Sequence, residues 1–481
     1  MKKKVFLILL ALTIIGAAAA CKTFVEAAKS NDSTKVAQSE EVSAESEYEA
    51  LTIKTDWDSM ADVIFTDEGM TINGEGCTDE DGVLYITEGG EYTLTGTSTA
   101  CSIVVNTDEN VKLVLNGVDL TSVNGPVIYG QQVKNLYIEL ADGTTNTLTD
   151  SESYATDSST GEEIGKGTIS SEDDIIILGT GTLNVYGNHG HGIVSDDKLY
   201  IEDGIINITT TATDGLHAND LISIDGGTIS IDAASDIMES EDALIINNGT
   251  IIGTSQDEGI ESKNTISING GSIDISVTDD GLNATTSIEI NDGTINIETD
   301  TGDGIDCNGN YEGCITINGG YVYVKGGNSP EGAIDADNAS AIINGGKVIA
   351  IGDVNSPISE ESQQVSIIYG SFNANENITI TDSEGNTVFE YTPEVSGSTM
   401  IISAAELVEG ETYTIYANGS QQETVTADST VVDAGGSASG MGGMQGGKGG
   451  RFGGQGMLNE QTPDGQMQNQ GSRPDFQENQ Q

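Results

Sequence analysis

Asp280-Gly281-Leu282-Asn283-Ala284-Thr285-Thr286-Ser287-Ile288-Glu289-Ile290-Asn291-Asp292-Gly293-Thr294-Ile295-Asn296-Ile297-Glu298-Thr299-Asp300-Thr301 is the stretch whose reading decides the fold. Leu282 and Ala284 alternate with polar neighbours, then Ile288 and Ile290, then Ile295 and Ile297. Alternation with period two makes each pair the inward side of a short strand. Asn291-Asp292-Gly293 separates the second pair from the third, and glycine there supplies the positive φ of a sharp corner. Three short strands and three turns use up the segment.

The segment recurs. Aligned on acidic-Gly-apolar-x-small, copies begin at Asp214, Asp236, Glu258, Asp280 and Asp303, and a last copy reads Gly332-Ala333-Ile334-Asp335-Ala336. The apolar position falls at 216, 238, 260, 282, 305 and 334, so the steps are 22, 22, 22, 23 and 29 residues. A period in this range marks a solenoid. Repeats built of Gly, Asn, Thr, Ile and Asp exclude a helical one. The corner recurs at Asp225, Asn247, Asn269, Asn318 and Asn344, each followed two residues on by glycine. Those Asn side chains can stack and hydrogen-bond from coil to coil. The expectation is an all-β, parallel β-helix of roughly eight regular coils at about 4.8 Å spacing, about 40 Å in length.

Around these coils the chain changes character. Lys2, Lys3 and Lys4 precede an apolar run from Val5 to Ile15, too short to span a bilayer but right for an export leader. The run ends in Ala17-Ala18-Ala19-Ala20-Cys21, which resembles the lipobox of bacterial lipoproteins with Ala18 where Leu is usual. Residues 1–21 therefore read as a signal segment, either lipidated on Cys21 and anchoring the chain on the extracellular face of a bacterial membrane, or cleaved at an Ala-x-Ala site. Residues 22–50 read as a flexible tether, 51–165 as an N-terminal cap with irregular coils, and 166–351 as the regular coils. Residues 352–434 lose the period and read as a small β region capping the stack. Residues 435–481, rich in Gly, Met and Gln, read as a disordered tail. Cys77, Cys101, Cys307 and Cys314 allow three disulfide connectivities. Cys307 falls in the small inward column with Ser240, Ser262 and Ala284, whereas Cys314 aligns with outward Ser287.

The chain holds 17 basic and 77 acidic side chains, a net charge of −60. Phosphate backbones are repelled by such a surface, which excludes nucleic acid as a partner. Carboxylates crowded on one surface are either screened or hold cations among them. The repeat collects them in two columns. Column one is Asp214, Asp236, Glu258, Asp280 and Asp303, with Glu331 after the insertion. Column two, three residues on, is His217, Glu239, Glu261, Asn283, Asp306 and Asp335. The spacing leaves open whether the columns share a face. Oxygen-only donors favour Ca²⁺ over zinc or copper. An outward Asp also serves as a turn former that accepts backbone N–H groups. The candidate cation ligands are Asp214, Asp236, Glu239, Glu258, Glu261, Asp280, Asp303, Asp306 and Asp335. His217 and Asn283 interrupt column two, and Lys166 stands at column one of the coil at Gly167, so discrete sites between Asp236 and Asp306 are expected. His189, His191 and His217 read as too few and too scattered for zinc; His189 and His191 flank Gly190 as either a lone metal pair or a solvated turn. Tyr311, Tyr321 and Tyr323 sit at the inserted coil, either lining a groove or packing on strands.

Three segments carry a family resemblance: Gly90-Glu-Tyr-Thr-Leu-Thr-Gly followed by Val111-Lys-Leu-Val-Leu-Asn-Gly-Val-Asp-Leu, the run of acidic-Gly coils, and Glu409-Gly-Glu-Thr-Tyr-Thr-Ile-Tyr. Over residues 80–430 the chain resembles the calcium-dependent carbohydrate-binding β-helix family that is itself similar to family 9 pectate lyases. The resemblance implies a right-handed β-helix, a bacterial extracellular location, and binding of acidic polysaccharide such as polygalacturonate, or of cellulose, with Ca²⁺. The lyase relatives abstract a proton with a Lys base. Lys263 alone among the coil lysines lies beside the columns, but Glu258 and Glu261 next to it work against the lowered pKa a base needs. A non-catalytic binding module, a surface rod stiffened by Ca²⁺ and a polysaccharide lyase all remain open readings.

Overall fold

The computed structural model describes residues 51–327, 329–353 and 355–436. The segments read above as a leader (1–21) and a tether (22–50) lie outside the described residues, as does the segment read as a tail (435–481) beyond residue 436. All strands belong to the unit that begins at Trp57. It is an all-β parallel β-helix. No helix among the described residues is long and apolar enough to cross a membrane.

Each coil contributes one strand to each of three ladders. The first ladder includes Leu216–Ala218, Met238–Ser240, Ile260–Ser262, Leu282–Ala284, Ile305–Cys307 and Ile334–Asp335. It belongs to a twelve-stranded sheet that begins well before the regular repeat. The second includes Thr265–Ile268 and Ser287–Ile290, and the third Ser272–Val277 and Thr294–Thr299. Register is exact to the residue: Leu216 faces Met238, Met238 faces Ile260, Ile260 faces Leu282, and Leu282 faces Ile305. These side chains have no exposed surface. Burying each is worth about 1.5–3 kcal/mol, and the stack repeats that gain coil after coil.

The corner between the second and third ladders explains why the period holds. Asn247 donates to Asp225 at 2.7 Å, Asn269 to Asn247 at 2.8 Å, Asn291 to Asn269 at 2.9 Å, Asn318 to Asn291 at 2.8 Å and Asn344 to Asn318 at 2.9 Å. The glycines two residues on have φ between +83° and +115°, as at Gly320 and Gly293. The insertion that lengthens the last steps leaves this corner untouched.

A second match holds the first ladder to the third. A Cβ added to Gly281 would meet Ile297 Cγ2 at 2.2 Å, and one added to Gly215 would meet Ile231 Cγ2 at 2.4 Å. One coil inverts the pair. There Ile237 stands where the others have glycine, and Gly253 replaces the isoleucine, with room for a Cβ closed by Ile237 Cδ1 at 2.5 Å. The summed volume is kept, as close packing demands.

Both ends of the stack are covered. At the start, Ser59–Thr66 pairs antiparallel with Gly69–Gly74 and parallel with Gly90–Ser98. At the finish, Lys347–Gly352 pairs antiparallel with Thr399–Ser403, which pairs with Ser366–Tyr369. A four-stranded antiparallel sheet, built from Ile378–Thr381, Thr387–Tyr391, Thr412–Ala417 and Ser420–Thr426, packs around a second apolar core. Covering an open edge removes a template for unwanted pairing.

Cysteine placement corrects one expectation. Cys77, Cys101, Cys307 and Cys314 are free thiols. Cys307 is fully buried, but so is Cys314. The insertion folds back over it: Tyr311 O accepts from Cys314 N at 3.0 Å, and Gly309 packs against its Cβ.

Candidate functional site

The outer face of the first ladder gathers the carboxylates. Column two runs strand to strand in register, His217 facing Glu239, Glu239 facing Glu261, Glu261 facing Asn283, Asn283 facing Asp306 and Asp306 facing Asp335. Alternation forces this: the apolar neighbours point inward, so column two points out. Column one lies just before each strand. Its aspartates serve as turn formers with one oxygen. Asp214 accepts the N–H of Asp236 at 3.2 Å, Asp236 that of Glu258 at 3.0 Å, Asp280 that of Asp303 at 2.7 Å and Asp303 that of Gly332 at 2.5 Å. Each carboxylate keeps a second oxygen, and the columns converge. Asp303, Asp306 and Asp335 bring oxygens within 4.8 Å of one another, and so do Asp214, Asp236 and Glu239.

The stripe has two electrostatic halves. Toward the start of the regular coils, cationic groups are built in. Lys263 Nζ lies 2.9 Å from Glu239 Oε1 and 2.6 Å from Glu261 Oε1. His217 Nδ1 lies 3.3 Å from Glu239 Oε2 and 3.5 Å from Asp214 Oδ2, and His191 Nδ1 lies 3.0 Å from the same Asp214 oxygen. Burial opposes the charge on Asp214, but the two imidazoles overcome it and hold the carboxyl below its ordinary range. The His217 imidazole, and then Lys263, hold Glu239 down as well. Burial alone would lower His217, yet Asp214 and Glu239 raise it to about 9. Lys263 is raised too, because Glu239 and Glu261 outweigh its desolvation. That is the opposite of what proton abstraction by Lys263 requires.

Toward the finish, no ion pair reaches the carboxylates among the described residues. Burial, then the charges of Asp280 and Asp335, push Asp306 up to about 7. Burial, only partly opposed by the Asp303 N–H, pushes Asp280 up to about 7. Asp303 is raised by burial and by Asp335, although it accepts from Gly332. Asp236, at the boundary, is raised by burial and by Asp214 and Glu258. Glu258 and Glu261 are raised chiefly by burial.

Sequence reasoning named His191 but missed its place in column one. Strand register pairs Ile193 with Leu216, which sets His191 level with Asp214 in column one. It also sets Gly167, not Lys166, opposite His191. The rings of His191 and His217 stack at 4.7 Å, so the histidines are neighbours rather than scattered. Extending the repeat one coil upstream would have shown it. His189 does occupy a turn, at 3.0 Å from Glu163. Tyr323 is buried against Tyr391, which removes it from any groove, while Tyr311 and Tyr321 are exposed. Beside the start of the stripe opens a cleft of about 900 Å³, lined by Tyr129, Tyr154, Lys166, His189 and Thr213 among others. Its size falls in the range of small-molecule sites.

The chain matches the model of a family described as carbohydrate-binding domain-containing protein over residues 80–255 and 244–446. A carbohydrate-binding domain-containing protein of Acetivibrio thermocellus is 34% identical over 158 residues, which is 32% of this chain and 54% of that relative. The chain thus spans about half the length of that relative. A solved structure of a polysaccharide lyase-like protein from C. thermocellum, a gadolinium derivative, is similar at 30% identity with a TM-score of 0.46, covering 55% of this chain and 99% of that one.

Proposed function

Because this chain belongs to the carbohydrate-binding domain-containing protein family, we propose that the stripe on its first ladder holds acidic polysaccharide of the polygalacturonate type through Ca²⁺, in a protein exported and anchored outside the cell on Cys21. The observation that carries this is the cluster of Asp303, Asp306 and Asp335. Its donors are all oxygen, and their mutual distances suit an ion with bonds of about 2.3–2.6 Å. Burial without a neighbouring cation makes ionisation of Asp303 and Asp306 unfavourable. A divalent ion would relieve that repulsion and offer its remaining positions to ligand carboxylates. An acidic protein and an acidic polymer need such a bridge. Asp214, Asp236, Glu239, Glu258, Glu261 and Asp280 would extend the acidic surface. A lyase reading needs Lys263 as base, and its two carboxylate partners oppose that role.

The test is retention of the full chain on immobilised polygalacturonate and on cellulose, with Ca²⁺ and with chelator. Expected are retention on polygalacturonate with Ca²⁺, release by chelator, and at least about tenfold weaker retention for Asp306→Asn. Retention indifferent to chelator sinks the cation bridge. Thermal stabilisation by Ca²⁺ without glycan retention identifies a stiffened surface rod instead. Unsaturated product from pectate, lost in Lys263→Ala, identifies a lyase.

A further inference from the structure

The upstream end of the stripe has donors of a different kind. We propose that His191, Asp214 and His217 form a binding site for a divalent transition metal of the zinc class, separate from the all-oxygen cluster downstream. Both imidazoles present Nδ1 to one oxygen, Asp214 Oδ2, at 3.0 Å and 3.5 Å, and His217 Nδ1 lies 3.3 Å from Glu239 Oε2. Donors at the corners of a tetrahedron with bonds of about 2.0–2.1 Å lie about 3.3 Å apart. The observed separations fall on that value. They arise across successive coils: His191 and His217 stand on ladder strands, and Asp214 sits in the turn just before the strand that carries His217.

A second observation points the same way. Nδ1 of His191 and Nδ1 of His217 are sealed from solvent, and neither makes a hydrogen bond. They sit at contact distance from Asp214 but are not aligned to donate to it. Buried polar atoms rarely go unsatisfied, because each costs about 1–3 kcal/mol. A lone pair aimed at a shared metal satisfies both at once. The supporting contacts are those a metal site uses to orient its ligands. Asp214 is fixed through its other oxygen by the N–H of Asp236 at 3.2 Å, and Glu239 is fixed by Lys263 at 2.9 Å. The stacked rings, 4.7 Å apart at 29°, keep the two nitrogens on one side. Two imidazoles with one or two carboxylates select borderline ions over Ca²⁺. Glu239 supplies the fourth position or leaves it to a water or a sugar hydroxyl.

The experiment titrates the full-length chain with Co²⁺ alone and follows visible absorption, then displaces it with Zn²⁺. One saturable equivalent with the intense absorption of a four-coordinate ion is expected, resistant to millimolar Ca²⁺. His191→Ala and His217→Ala should each weaken it by about 100-fold or more, beyond the 10–100-fold typical of losing a partner behind a ligand. Asp306→Asn should leave it unchanged. Should either histidine variant fail to fold, diethyl pyrocarbonate modification of the wild-type chain decides. Zn²⁺ should then shield His191 and His217 while His189 reacts. Absence of saturable Co²⁺ binding, binding unaffected by both histidine changes, or equal modification of all three histidines with Zn²⁺ overturns the proposal.

Discussion

The two halves of the carboxylate stripe share one backbone and differ in chemistry. From His191 to Lys263, acidic groups sit beside two imidazoles and an ammonium, and His217 and Lys263 carry counter-charge. From Asp280 to Asp335, the same columns hold acidic groups with Asn283 at their boundary and no basic partner among the described residues. A repeat fixes where side chains go and leaves their charge free to vary. The half with built-in cations is suited to a borderline ion of the zinc class or to none. The half without them is the one that gains from Ca²⁺ and from whatever Ca²⁺ bridges to.

If the halves share a scaffold, core truncation must treat them alike. Ile260→Ala and Ile305→Ala should each cost about 2–5 kcal/mol in denaturant unfolding, read as a loss of midpoint with the slope unchanged. A large difference between them would mean that the downstream coils are held by something other than packing.

The next largest effect is the response to pH in chelator. Asp280 and Asp306 have pKa values raised to about 7 from an ordinary 3.8, so the folded state binds the extra protons. Their contribution is full below about pH 4 and is lost as pH rises through about 7. His217, raised from 6.5 to about 9, contributes stability that is full below 6.5 and lost as pH rises through about 9. Melting temperature without metal should therefore fall from pH 5 to pH 9. Ca²⁺ should flatten the lower part of that decline, and Asp306→Asn should flatten it without Ca²⁺. A curve that rises with pH in chelator contradicts the assignment.

Replacing Lys263 by Met strips one built-in cation from the upstream half. The side chain is 40% exposed, so the direct loss is about 1 kcal/mol or less. The sharper readout is that Glu239 and Glu261 then become Ca²⁺-responsive, and the melting shift produced by Ca²⁺ should grow. Asn283→Asp should have the smallest effect. It adds one carboxylate beside Asp306 and should tighten Ca²⁺ binding by about two- to fivefold in calorimetry.

The fold was legible because each coil repeats its local signals: alternation at Ile288 and Ile290, a positive-φ glycine at 293, a stacking Asn at 291. The site was legible only in part. Column positions followed from the period, but convergence of Asp303 with Asp306 and Asp335 depends on how the chain rounds a corner, which spacing does not give. The place of His191 in column one stayed hidden because its coil lacks the acidic-Gly signature. Cys314 was misplaced because an inserted loop covers it, and spacing could not decide between groove and packing for Tyr323, because long-range cover leaves no periodic trace.

The inverted pair of Ile237 and Gly253 makes the coil, rather than the strand, the unit in which this chain can be edited. Both members lie between one column-one residue and the next. Excising 236–257 removes the pair together and returns glycine at 259 opposite Ile275. Excising 246–267 removes the same number of residues but leaves Ile237 against Ile275. The first deletion should give a shorter folded solenoid, and the second an overpacked one with a markedly lower melting temperature. Growth and shrinkage of such a protein by duplication or loss are thereby confined to one reading frame of the repeat.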